Sequence, residues 1–304
     1  MPFSLTEYKF GQHRGLMIYH SENKHHIDLL PAHGALIARM ELFGHELTAP
    51  IENANQLMEK HEYRNFWLIP FQNRVADGRY AIDGNMYQLA INEKERNNAL
   101  HGFFSEVEME SVKWDVATDI VSVSVDFSYK GQVAGYPFPF SATINYQIME
   151  SGTVKLSYQL INTGDRNLPF TVGWHPYFKL DGDRSDWKLA VDKLKNHPLN
   201  ERNLPEGEAT VYEDGFDLSV IKLDHCFEFA EKPYRTKLSS GKMTLEISQS
   251  DSLPFVQIFT PPSNSIAIEP VSSAVDAFNT GVGLEIVEPG KSVSGNITIS
   301  LTLK

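Results

Sequence analysis

The stretch "IVSVSVDFSY", residues 120–129, decides how the chain is read. Val121, Val123, Val125, Phe127 and Tyr129 alternate with Ser122, Ser124, Asp126 and Ser128, so an extended backbone carries one apolar and one polar face. A helix would scatter the same valines around its circumference. The period of two returns in "FSATINYQIM" from 140, "TVKLSYQLIN" from 153, "MTLEISQ" from 243, "FVQIFT" from 255 and "NITISLTL" from 296. Gly131, Gly152, Gly164, Gly241 and Gly295 are read as turns between such runs.

These patterns predict an all-β protein of many short antiparallel strands. Helical spacing is confined to "ANQLMEKHEYRNF" from 54 and "SSAVDAFNT" from 272, and no strand–helix alternation supports a parallel sheet. Open edges in so large a sheet would invite aggregation, so two packed sheets or closure is expected. A chain of 304 residues could hold two domains by length, yet no Pro-, Gly- or Ser-rich linker divides it, so one domain over 1–304 is expected. The most polar stretch, 181–222, reads as an excursion on that domain, too poor in apolar residues to hold a core of its own.

Composition narrows the function classes. With 41% hydrophobic and 22% charged residues the chain reads as a soluble globular protein. A formal net charge of −12 repels a phosphate backbone, so no nucleic-acid partner is expected. Cys226 is the single cysteine, without a second for a disulfide, zinc or redox motif, which fits a reducing compartment. Neither a leader of a basic segment and about 7–15 apolar residues nor an apolar run of about 18 occurs, so a cytoplasmic location and no membrane partner are expected. Monomer and homodimer are both open.

The eleven histidines are unequal. His20, His25, His26, His33, His45 and His61 are read as solvated or locally hydrogen-bonded, and no HExxH spacing occurs. His175, in "FTVGWHPYFKL" (170–180), ends a strand-like run among aromatics, where it is either a core residue or a proton carrier titrating near neutrality. His101, in "NNALHGFF", precedes a glycine that permits close approach of another group; a turn histidine is the plainer reading. Glu269, in "SIAIEPVSSAVDAFN", follows an apolar run, so its carboxyl should be desolvated and more basic. Glu285 and Glu288, in "GLEIVEPG", compete with it but read as turn residues. Asn73 and Arg74 lie beside a hairpin signal, where they could bind hydroxyls or simply pair with an acid. No GxGxxG, P-loop, CxxC or GxSxG pattern occurs, and the remaining histidines, carboxylates, amides and aromatics suit sugar chemistry or sugar binding.

Taken in order, "QNRVADGRYAIDGNMYQLAIN", "NNALHGF", "GWHPYFKL", "LDHCFEF" and "IAIEPVSSAVDAFN" resemble the aldose 1-epimerase (galactose mutarotase) family. The likeness spans about residues 10 to 304. It implies a large antiparallel β-sandwich of the galactose mutarotase type, with the sugar in a groove on one concave face. It implies an isomerase that interconverts the α and β anomers of a free hexose such as glucose or galactose, without cofactor or metal. By the same resemblance Glu269 is the general base, His175 the general acid and His101 a second active-site histidine, while Asn73, Arg74 and Asp224 bind or orient the sugar. Opposite charges on Glu269 and His175 are expected to favour each other.

Members best known as galactose mutarotases carry a doubled glycine after the "LH" histidine and "NHxYFNL" around the acid. Here Phe103 follows Gly102, Trp174 precedes His175 and Lys179 follows Phe178, so these positions are expected to bear on substrate choice. Phe71, Phe104 and Tyr177 are candidates to stack on the sugar. Three other readings stay in view. One is a sugar-phosphate epimerase with Arg64, Arg79 and Arg96 as a phosphate clamp; the others are a non-catalytic carbohydrate-binding protein and a hydrolase using Asp224 and Glu269.

Overall fold

Strand Ile120–Tyr129 lies between Glu108–Val116 and Phe140–Met149 in an eight-stranded antiparallel sheet. The computed structural model describes residues 1–191, 193–212 and 216–304. This back sheet continues through Thr153–Asn162, Ser292–Leu303, Met243–Gln249 and Arg235–Ser240 to Lys188–Val191. Val121, Val123, Val125, Phe127 and Tyr129 are at most 1% exposed, while Ser122, Ser124 and Asp126 stay partly open on the other face. Each valine or phenylalanine buried this way stabilises the fold by about 1.5–3 kcal/mol.

A second eight-stranded sheet runs through Thr210–Tyr212, Leu194–Asn196, Asp224–Phe229, Phe255–Phe259, Ile266–Val271, Gly173–Trp174 and Trp67–Leu68, with Tyr177–Phe178 also paired to Ile266–Val271. Phe227, Phe229, Val256, Ile258, Ile266 and Ile268 join Phe127 and Leu156 of the back sheet in the largest apolar cluster. Alternation then turns Asp224, Cys226, Gln257, Phe259, Ala267 and Glu269 to the opposite face. That face carries the floor of the candidate site described below. A five-stranded N-terminal meander, Phe3–Phe10, His13–His20, His25–Leu30, Leu36–Leu42 and His45–Glu46, adds Leu16, Ile18, Ile27 and Leu29 to the same cluster. No helix among the described residues is long and apolar enough to cross a membrane.

Several local readings change. The helix expected from 54 stops at Met58, because Lys60 and Glu62 take left-handed backbone and only a short turn, His61–Tyr63, follows. The second helical signal forms the turn Ala277–Thr280. The polar stretch 181–222 is no mere excursion: Lys188–Val191 closes one edge of the back sheet, and Leu194–Asn196 and Thr210–Tyr212 one edge of the floor sheet. Edge strands carry polar residues, which hid them in the pattern; Asp192 and residues 213–215 of this stretch lie outside the described residues.

Gly295 is not in a turn but inside Ser292–Leu303, opposite Tyr158, where a Cβ would lie 2.3 Å from Ser252 Oγ and 2.7 Å from the tyrosine ring. Of the histidines read as solvated or locally hydrogen-bonded, His20 and His25 are fully buried, and His20 Nδ1 accepts from the nearby Asn23 amide at 3.0 Å. The His25 ring lies against Phe43, donates from Nε2 to the Glu150 carbonyl at 3.0 Å and accepts at Nδ1 from the Phe43 amide at 3.1 Å. That neutral tautomer ties the meander to the turn between two back-sheet strands.

The alternation makes a quantitative prediction for urea unfolding. Phe127→Ala should lose about 3–5 kcal/mol, whereas Ser124→Ala on the outer face should stay within about 0.5 kcal/mol of wild type. Similar losses in both variants would contradict the assignment of faces.

Candidate active site

Glu269 and Gln257 are register partners on neighbouring floor strands, and Cys226 is the register partner of Gln257 on the next. On the other side of Ile266–Val271 the ladder is interrupted: Gly173 pairs with Val271 and Tyr177 with Ala267, and between them the Ile268 amide reaches the Pro176 carbonyl at a long 3.4 Å. Pro176 and Pro270, both lacking an N–H, fall at this break. His175 crosses it opposite Glu269. Its amide donates to the Phe66 carbonyl at 2.9 Å, and its carbonyl accepts from the Asn65 amide at 2.8 Å. Its ring stacks on Tyr177 (5.2 Å, 3°) and meets the His101 ring edge-on at 5.1 Å. His175 Nε2 lies 3.5 Å from Glu269 Oε1.

The two groups are 5% and 2% exposed, and His175 Nδ1 and Glu269 Oε2 have no hydrogen-bond partner among the described residues. Loss of water penalises the charged form of each. Burial therefore raises the Glu269 carboxyl well above its ordinary value; Asp224 nearby raises it further, and Arg74 opposes. Burial likewise pushes His175 down to about 3. The expected mutual support of opposite charges is overridden, because desolvation outweighs attraction in this dry pair. His101 is also held well below the ordinary imidazole range, first by burial and then by His175 and Arg74. Burial thus pushes both groups of the pair towards their neutral forms.

The opposite wall comes from two loops. The Asn73 amide donates to His101 Nδ1 at 3.3 Å, and the His101 amide donates to the Asn73 carbonyl at 3.0 Å. Both residues have left-handed backbone, φ 53° and 64°. Such strain in a non-glycine residue persists only where surroundings enforce it. The group that approaches Gly102 is the Ile69 carbonyl, 2.3 Å from where a Cβ would stand. Arg74 is buried and donates to Glu93 from both Nε and Nη2, and from Nη1 to Asn73 Oδ1 at 3.1 Å. Asn73 Nδ2 donates to Gln257 Oε1 at 3.2 Å, and Gln257 Nε2 to Asp224 Oδ1 at 2.9 Å. The structure thus brings together all six residues singled out in the sequence: His101, His175, Glu269, Asn73, Arg74 and Asp224.

The family model for aldose 1-epimerase matches residues 21–300. The chain belongs to the aldose 1-epimerase family. It is 27% identical over 240 residues to an uncharacterized Escherichia coli protein, YihR, with 74% of each chain covered. It is 26% identical to the Escherichia coli aldose 1-epimerase over 158 residues, 50% of this chain and 44% of that one. A galactose mutarotase-like protein from Clostridium acetobutylicum shares the fold with a TM-score of 0.89 at 17% identity, covering 100% of this chain and 99% of that one.

Against this family background, several sequence expectations move. Phe104 packs on Phe127 in the core and cannot stack on a ligand, and Phe71 lies against Phe278. Tyr177 adjoins the pair, but its ring is buried, stacked on His175 and covered by the Arg64 guanidinium at 5.6 Å. Trp174 points away from the groove into the core, its Nε1 donating to the Asn65 carbonyl, and Lys179 is paired with Glu46. Phe103 packs on Tyr129 and Tyr136. Trp174 and Phe103 are thus taken up by packing, and Lys179 by an ion pair. Glu285 and Glu288 are exposed, far from the burial that sets Glu269 apart. Sequence reasoning missed Gln257, although an amide on the Phe255–Phe259 alternation was its signal, and missed Glu93, which has no local signal.

Burial of Glu269 has a measurable consequence. Because its folded value is raised, its contribution to stability is fully present below the unfolded carboxyl value near about 4.3 and is lost as pH rises towards the folded one. Glu269→Gln removes that loss. Thermal and urea unfolding should show the variant gaining on wild type with rising pH, by up to about 1.4 kcal/mol per pH unit. A stability difference independent of pH would contradict a raised carboxyl.

Proposed function

We propose that the chain is an aldose 1-epimerase that interconverts the anomers of a free, uncharged hexose such as glucose or galactose. The observation that carries this reading is the buried pair, His175 Nε2 at 3.5 Å from Glu269 Oε1. A pair that shares one proton always offers one donor and one acceptor, and the two hemiacetal oxygens they must serve are bonded to a single carbon. In the reactive form Glu269 is ionised and His175 protonated. Glu269 takes the proton of the C1 hydroxyl while His175 gives its proton to the ring oxygen, and the C1–O5 bond breaks to give the aldehyde. Rotation about C1–C2 and closure with the roles reversed yields the other anomer.

The reactive pair carries two opposite charges and the pair after ring opening carries none, so the cost of charging the pair in this dry site is recovered as the ring opens. Asp224 and Arg74, oriented by Gln257 and Glu93, suit hydroxyl recognition by charge-assisted hydrogen bonds.

A phosphorylated sugar is less well supported. Arg64 is bound by Glu62 at 2.6 Å and Arg96 by Glu93 at 3.0 Å, while Arg79 donates to Gln88, so the three arginines are committed separately. The hydrolase reading suffers because both Asp224 oxygens already accept side-chain amides.

Polarimetry of freshly dissolved α-glucose, α-galactose and glucose 6-phosphate tests the proposal. Wild type should speed mutarotation of a free hexose, and Glu269→Gln and His175→Asn should each lose roughly 10²–10⁴-fold of that rate. No acceleration of any aldose, or full activity in Glu269→Gln, would overturn it; faster turnover of the phosphate would move the substrate to a phosphorylated hexose.

A further inference from the structure

The polar stretch contains a compact loop, Pro198–Glu206, whose tip is bonded to the candidate site. Its neck is closed by the Glu206 amide donating to the Pro198 carbonyl at 2.9 Å and by the Leu199–Pro205 bridge. Inside it, Asn200 Oδ1 accepts from the amides of Arg202 and Leu204 at 2.9 and 3.2 Å. Leu199 packs on the apolar cluster of Cys226, Phe255 and Val271. The loop is therefore seated on the floor sheet, and its tip carries Arg202 and Asn203.

These two side chains reach opposite walls. Asn203 Nδ2 donates to Asp224 Oδ2 at 2.9 Å. Arg202 donates from Nε to the Arg96 carbonyl at 2.9 Å, and from Nη2 to Asp77 Oδ1 at 2.8 Å, the Asn97 carbonyl at 3.0 Å and Asn98 Oδ1 at 3.2 Å. Asn98 Nδ2 in turn donates to Glu93 Oε2 at 2.8 Å, and Glu93 holds Arg74. With the bonds from Arg74 to Asn73, Asn73 to Gln257 and Gln257 to Asp224, the side chains form a circuit closed by the backbone between Arg202 and Asn203.

We propose that Arg202 and Asn203 are positioning residues for the sugar, the loop acting as a strap that fixes Asp224 and Arg74 relative to each other. The inference rests on the epimerase reading and adds to it how hydroxyl recognition is set. Asp224 is partly open to solvent, and a carboxylate with one amide on each oxygen keeps a single orientation. Two of its roughly four acceptor positions then remain for hydroxyls. Arg74, with Nε and one N–H of each terminal nitrogen committed, keeps donors on both terminal nitrogens. Preorganised groups of this kind spare the ligand the cost of ordering them.

The test is a four-protein cycle of wild type, Asn203→Gly, Asp224→Ala and the double variant. Glycine is chosen because Asn203 has φ 55°, which glycine accepts without strain. KM and kcat are read by polarimetry, and hexose Kd by calorimetry, so slow turnover in Asp224→Ala does not obscure the cycle. Asn203→Gly should raise KM and Kd roughly tenfold with kcat little changed, and should add less than about twofold when Asp224 is already alanine. Arg202→Met should raise KM in the same direction. Unchanged KM and Kd in Asn203→Gly, or the same factor with and without Asp224, overturns the strap. A wild type that turns over no aldose removes the epimerase reading and the strap with it, whereas an active wild type with unchanged variants removes the strap alone.

Discussion

A carboxyl and an imidazole held 3.5 Å apart at 2% and 5% exposure set the terms for the rest of the groove. Two charges are costly in such a place, and each group shifts towards its neutral form. Holding them there requires rigid support. Glu269 sits on a strand paired on one side and released on the other, where the two prolines coincide with the break in the ladder. His175 crosses that break with both backbone groups bonded to a neighbouring segment, so its ring position is set by the backbone.

Around this pair the structure spends polar side chains on orientation. Arg74 is held by Glu93, Asp224 by Gln257 and Asn203, and Asn73 by left-handed backbone and an exchange of bonds with His101. Local strain at Asn73 and His101 is tolerable because the groove face lies on a sheet whose reverse side contributes Phe227, Ile258 and Ile268 to the main core. Packing supplies the stability, and the groove uses part of it.

The strands were legible in the sequence where one face is buried and the other wet, as at 120–129, 140–149 and 153–162, because alternation is a direct imprint of that environment. The strands at 188–191 and 210–212, which form sheet edges, and the three-residue strand 194–196 beside one of them are too short and too polar to leave such an imprint. Glu269 was marked by the apolar run before it, whereas Asp224 entered only through family resemblance and Glu93 through the fold alone. The aromatic neighbours misled: Trp174, next to His175 on an extended chain, faces the opposite way into the core, and Phe104, three residues past His101, starts a short turn that packs on Phe127. Charge balance misled too, since residue types suggested an ion pair and only burial disclosed that desolvation prevails.

The central claim is that Glu269 and His175 work as one unit sharing a single proton, displaced from ordinary values by burial. The most direct measurement is the pH dependence of kcat/KM for mutarotation, corrected for the buffer-catalysed rate. The account predicts a level profile through the ordinary imidazole value near about 6.5, with activity falling only on flanks displaced to either side. An inflection near about 6.5, as from an unperturbed histidine, would contradict it.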